Sequence, residues 1–186
     1  IEDTSFIDLL CFGDGDGSID ITVIGGTGAY SYSWTNGSTS EDLSNLSVGT
    51  YSVIVTDENG CTDDLEVEIT ELDELIVSSN VNNITCFGDG DGSVDLIVTG
   101  GLAPYSYAWD SGEVLVGISD LLAGTYSVIV TDDSGCISNL DIEITEPELL
   151  QVSIEDTSFI DLLCFGDGDG SIDITVIGGT GAYSYS

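Results

Sequence analysis

The octapeptide Cys-Phe-Gly-Asp-Gly-Asp-Gly-Ser occurs three times, starting at Cys11, Cys86 and Cys164, and each time it opens the same succession of apolar alternations. After the first two copies follow Gly-Gly, Tyr-Ser-Tyr-x-Trp, Gly-Thr-Tyr-Ser-Val-Ile-Val-Thr-Asp and a second cysteine, Cys61 or Cys136. The starts lie 75 and 78 residues apart, and each complete copy separates its two cysteines by 50. Self-similarity at such a period marks a chain of tandem structural modules. A longer regularity sits on top of it, because Ile1 through Ser33 recurs unchanged as Ile154 through Ser186. The repeating unit is therefore a pair of unlike modules, and the chain reads as a window on a longer array. The expected divisions are residues 1–71 for module A, 72–146 for module B and 147–186 for the start of the next A.

Within a module the pattern is strand after strand. Ile19, Ile21 and Val23 alternate with polar residues, as do Tyr30, Tyr32 and Trp34, then Tyr51, Val53 and Val55, then Leu65, Val67 and Ile69. A period of two is that of a half-buried strand. Gly25-Gly26, Asn36-Gly37 and Asn59-Gly60 mark turns. Seven or so short strands per module predict an all-β chain of tandem immunoglobulin-like antiparallel sandwiches. Trp34, Tyr51, Trp109 and Tyr126 are the expected core anchors.

A module of this size has a marginal core without a staple. In strand register Cys61 is in phase with Leu65, Val67 and Ile69, and Cys11 with Ile7 and Leu9, so both sulfurs are expected to face the core. The expectation is one internal disulfide per module, Cys11–Cys61 and Cys86–Cys136, with the partner of Cys164 near position 214, beyond the last residue. Zinc is the competing reading, but two cysteines and no histidine per module supply too few ligands. Disulfides point to an oxidising, extracytoplasmic setting.

The chain holds 35 Asp and Glu and no Lys, Arg or His, a formal charge of −35. No salt bridge between side chains can form, and contact with nucleic acid phosphates or anionic lipid, which needs Lys and Arg, is excluded. With 41% hydrophobic residues in clean alternation the chain still buries a face and is not disordered. Its charged partners are cations. If Cys11 bonds Cys61, the loop bearing Asp14 and Asp16 lies beside the turn bearing Asp57 and Glu58, and these oxygens would suit calcium. Asp89, Asp91, Asp132 and Asp133 would form the equivalent site in module B. The loop is not an EF-hand, since Ile19 stands where that loop needs glycine and Gly25 where it needs glutamate. The alternative is turn chemistry, in which glycine permits the bend and aspartate accepts backbone hydrogen bonds. Nucleophilic catalysis lacks a histidine or lysine base, so no enzyme is expected.

The order Cys, Gly-Asp-Gly-Asp-Gly-Ser, Gly-Gly, Tyr-Ser-Tyr-x-Trp, Gly-Thr-Tyr-Ser-Val-x-Val-Thr-Asp, Gly-Cys, Glu-Ile-Thr-Glu resembles the SprB-type repeat of gliding-motility and related cell-surface adhesins in Bacteroidetes. The resemblance implies a very large surface protein secreted by the type IX route, whose tandem modules form a filament. Its expected partners are neighbouring modules of the same chain, other copies of the filament and surface glycans. Two alternatives to a plain stalk stay open: ligand binding by the loop Gly112 to Leu122, and self-assembly through strand edges or the outward Ile54 and Ile129.

Overall fold

The computed structural model describes residue 1, residues 3–154 and residues 172–186. All of its regular elements are strands. The first repeat carries β1 (Asp3–Ile7), β2 (Gly17–Thr22), β3 (Ser31–Trp34), β4 (Leu43–Leu46), β5 (Gly49–Thr56) and β6 (Thr62–Ile69). They form two three-stranded sheets, β1-β2-β4 and β3-β5-β6, with antiparallel neighbours throughout. If the strands are lettered A, B, C, E, F and G, the sheets are A-B-E and C-F-G, the immunoglobulin division with strand D missing. Six strands form where about seven were expected.

Alternation explains which residues meet between the sheets. Leu9, Ile19, Ile21, Leu43 and Leu46 from one side pack against Trp34, Val53, Val55, Val67 and Ile69 from the other. Two polar groups that this core would otherwise strand find backbone acceptors. Trp34 Nε1 donates to the Ser40 carbonyl at 2.8 Å, and the half-buried Tyr51, near the start of strand F, donates to the Ser47 carbonyl at 2.9 Å. The second contact is the tyrosine corner of immunoglobulin-like sandwiches. Ile7 is 59% exposed, so β1 ends before the alternation that was expected to carry it into the core, and Leu9 alone reaches inside. Asn45 adopts a positive φ of 55° where the β2–β4 register slips by one residue, a bulge that asparagine tolerates.

The second repeat has β7 (Ile76–Asn82), β8 (Gly92–Thr99), β9 (Ser106–Trp109), β10 (Gly117–Leu121), β11 (Gly124–Thr131) and β12 (Ile137–Ile144), in sheets β10-β8-β7 and β12-β11-β9. Each of the ten buried core residues of the first repeat has a buried counterpart 75 positions on, from Ile84 for Leu9 to Ile144 for Ile69. Trp109 Nε1 donates to Leu115 and Tyr126 to Leu122, as their counterparts do. Asp120, at φ 59°, repeats the Asn45 bulge. The third copy contributes β13 (Gln151–Ile154) and β14 (Ile174–Ile177), which pair antiparallel. Packing divides the chain into two compact units. One is Ile1–Val77 with Val98–Ser106 and Ile129–Ser138, and the other is Ser78–Ile97 with Tyr107–Val128 and Asn139–Ser186.

The cystine differs from the expected pairing. Cys11 is bonded to Cys136, inside the first unit, with Cα atoms 5.6 Å apart, while Cys61 and Cys86 are exposed free thiols. Neither Cys11–Cys61 nor Cys86–Cys136 forms, and the staple is not internal to a repeat. The reason is strand length. Leu9 N–H donates to the Thr70 carbonyl, which holds Cys11 at the last residues of β6, whereas Cys61 precedes its first. Eight residues of strand span about 26 Å, and a disulfide needs Cα atoms within about 7 Å. Likewise Ile84 N–H bonds the Thr145 carbonyl just past β12, and Cys136 precedes that strand. None of the four sulfurs lies in a core. Cys164 falls outside the described residues.

Replacing Trp34 with alanine removes a side chain only 4% exposed at the centre of the first core. A loss of about 3–5 kcal/mol in urea unfolding is expected, with Ile54→Ala, at an exposed site, as the near-neutral control.

Candidate functional site

The features that set this sandwich apart are at its two ends, where all four described cysteines sit. At the downstream end the Cys-Phe-Gly loop folds back on the strand that leaves the repeat. Thr70 N–H donates to Asp8 Oδ1 at 2.7 Å, Gly13 N–H to Glu71 Oε2 at 2.8 Å, and Asp14 N–H to the Cys11 carbonyl at 3.3 Å. The second repeat makes the same set: Thr145 N–H to Asn83 Oδ1 at 2.9 Å, Gly88 N–H to Glu146 Oε2 at 2.8 Å, and Asp89 N–H to the Cys86 carbonyl at 3.1 Å. The Glu of Glu-Ile-Thr-Glu thus holds the cysteine loop of its own repeat in place.

At the upstream end one aspartate builds the turn that presents the second cysteine. Asp57 Oδ1 accepts from the Asn59 and Cys61 N–H groups at 2.9 and 2.8 Å, and Oδ2 from Thr27 N–H at 3.0 Å. Asp132 does the same with Ser134, Cys136 and Leu102 at 2.9, 2.9 and 2.7 Å. Asp132 is 6% exposed, and with no basic side chain anywhere these N–H groups replace a counter-ion. The Cys61 N–H foremost, then that of Thr27, hold the Asp57 carboxyl below its ordinary value. Burial pushes Asp132 upward, but the Leu102, Cys136 and Ser134 N–H groups outweigh it and the net shift is downward.

The Gly-Gly pair, read from sequence as a simple turn, has a second task. Gly101 N–H donates to the Asp73 carbonyl at 2.8 Å, and a Cβ on Gly100 would collide with the Glu74 carbonyl oxygen. Both glycines have positive φ, 71° and 59°. The connecting segment between the repeats lies directly on this backbone, and no side chain fits there. Gly178 and Gly179 receive Glu148 and Leu149 in the same way.

Cys11 and Cys136 therefore join the downstream loop of one repeat to the upstream turn of the next. Phe12, Asp14, Glu74, Leu75 and Ile137 line a cleft beside the bond.

The proposed calcium ligands are not brought together. Asp14 and Asp16 lie with Cys11 at one end of β6, and Asp57 and Glu58 at the other. Both oxygens of Asp57 and of Asp132 already accept backbone hydrogen bonds. The Asp91 carboxylate accepts from both the backbone N–H and the hydroxyl of Thr85, while Asp89 and Asp133 are exposed. Among the described residues no three acidic or sulfur side chains are placed to hold a metal ion. Also among them, no helix is long and apolar enough to cross a membrane.

A carboxyl held below its unfolded value contributes stability that is present above about pH 4 and lost as pH falls through the lowered folded value. Asp132→Ala is accordingly expected to melt below the parent at pH 7. The gap should close as pH falls below about 4 in thermal melts followed by circular dichroism, whereas a gap of constant size down to pH 2 would mean that the charge on Asp132 is not what holds the turn.

Among solved structures, the chain is similar to a C-terminal 282-residue fragment of intimin in complex with the intimin-binding domain of the translocated intimin receptor. The TM-score is 0.44 at 14% identity, over 82% of this chain and 66% of that one. It is also similar to the IgVJ-C2 molecule of amphioxus, with a TM-score of 0.31 at 14% identity, over 76% of this chain and 96% of that one. The chain spans about two thirds of the length of the intimin fragment. No curated protein sequence matches it. The SprB repeat family matches residues 4–39, 78–114 and 157–186, more than half of the chain, each match including one copy of the cysteine loop. On that match the chain belongs to the SprB repeat family.

Proposed function

We propose that these cell-surface repeats are a length of stalk in a large secreted adhesin or filament, and that their work is reach and mechanical resistance rather than catalysis. The observation that carries the reading is the one-to-one recurrence of the core: ten buried positions repeat at a shift of 75, as do the hydrogen bonds that shape both ends. A spacer gains length from every added copy, whereas a catalyst needs one good site. On this reading residues 1–71, 72–146 and 147–186 are successive modules. The setting is extracellular, and the family supports a link to surface adhesion or gliding movement after type IX export.

The composition fits exposure outside a cell. With no Lys or Arg the chain offers no trypsin-type cleavage point, and its uniform negative charge keeps crowded filaments apart while added salt relaxes the repulsion. Binding of a glycan or protein through Gly112 to Leu122 is the second reading. It draws on that stretch differing from residues 37–47 of the first repeat at eight of eleven positions, and on the exposure of Val114, Leu115 and Leu122.

Electron imaging of chains with increasing repeat number tests the stalk directly. Length is expected to rise in proportion to the number of repeats. Saturable binding of a glycan or protein by one pair of repeats, abolished when residues 112–122 are replaced, would instead make the repeat an adhesive unit.

A further inference from the structure

We infer that in an array of these repeats every junction carries a disulfide from the first cysteine of one repeat to the second cysteine of the next, so that Cys61 and Cys86 are half-cystines of two further staples. The inference goes beyond the stalk role and does not depend on it.

Three observations carry it. The Cys11–Cys136 bond already joins the first cysteine of one repeat to the second cysteine of its successor. The chain leaves a repeat at the downstream end of β6, where the first cysteine is held, and the next repeat receives the connecting segment on its Gly-Gly turn, close to the aspartate that presents the second cysteine. Gly101 bonds Asp73, and a Cβ on Gly101 would touch both Asp132 and Leu75. Chain continuity alone thus delivers one cysteine to the other. Finally, the two unbonded cysteines are presented by the same hydrogen bonds as the bonded pair. Cys61 sits in the Asp57 turn as Cys136 sits in the Asp132 turn, and Cys86 in the loop tied to Glu146 as Cys11 in the loop tied to Glu71. Both are exposed, as half-cystines are before a neighbour arrives.

By this rule Cys86 takes the second cysteine of the repeat that opens at Cys164, and Cys61 takes the first cysteine of a repeat on its upstream side. Each bond removes two protons and two electrons from a pair of thiols. A disulfide-bearing oxidant accepts them and leaves as a dithiol.

The mechanical consequence is large. A covalent path along the array runs through only the 25 residues from Cys61 to Cys86, or the 28 from Cys136 to Cys164, before a disulfide carries it past the remainder of each 153-residue period. Fully extended at about 3.5 Å per residue, such a path measures about 90–100 Å per pair of repeats, against about 540 Å without the staples. A stapled stalk cannot lengthen by unfolding its sandwiches.

Non-reducing peptide mapping tests the rule. The 186-residue chain is oxidised with glutathione disulfide, thiols are alkylated, and fragments are made with a Glu/Asp-specific protease. A linked Cys11–Cys136 pair with Cys61 and Cys86 alkylated is expected. In a chain extended through the second cysteine of the third repeat, Cys86 is expected to be linked to that cysteine. Linked Cys11–Cys61 or Cys86–Cys136 peptides would overturn the rule. The variant Cys136→Ser guards against misfolding as an explanation: Cys11 should become alkylated, and its capture by Cys61 instead would also refute the assignment.

Discussion

A β-strand of eight residues is about 26 Å long, and in each repeat this length separates the two cysteines. The last strand runs from the turn that presents the second cysteine to the loop that presents the first, so the repeat cannot staple itself. It holds one reactive group at each end, and the neighbouring repeat supplies the partner. The bond between Cys11 and Cys136 closes a span of 125 residues, which in the chain-entropy account removes about 5 kcal/mol of freedom from the unfolded chain. The ends are built to the tolerance this requires, from carboxylates that collect backbone N–H groups and glycines that let one backbone lie on another.

The absence of every basic side chain shapes those ends. A buried carboxylate in most proteins is answered by Arg or Lys, and here Asp132 is answered by three peptide N–H groups. That solution costs no second charge and fixes the turn geometry at the same time. Most other carboxylates stay in water, where their repulsion weakens with salt. Acidity and structure therefore coexist because the charges that matter to the fold are few and are held by backbone.

Much of this was legible in the residues. The alternation of Ile19 and Ile21, of Val53 and Val55, and of Val67 and Ile69 identified strands that do bury those side chains, and the repeat period carried each assignment to the second copy. The cysteines were misplaced for an identifiable reason. A period-two pattern says which face a residue is on when the strand continues, and β1 stops at Ile7 while β6 starts only at Thr62. Cys11 and Cys61 lie beyond those limits, so phase carried no information about them. The calcium grouping rested on that pairing and dissolved with it. A Gly-Gly pair such as Gly25-Gly26 reads as a turn because sequence does not show which distant backbone presses on a glycine; the contact of Gly100 and Gly101 with Asp73 and Glu74 exists only once the sandwich has closed.

Under the junction rule, neighbouring repeats are covalently joined at both the connecting segment and the cysteines. Single-molecule stretching of an array of complete repeats puts it to the most direct test. The oxidised array should reach its limiting length at about 90–100 Å per pair of repeats with no stepwise lengthening, and after reduction the same molecule should extend in steps toward about 540 Å per pair. Large unfolding steps in the oxidised array would show that the sandwiches bear the load individually and that the junctions are not stapled.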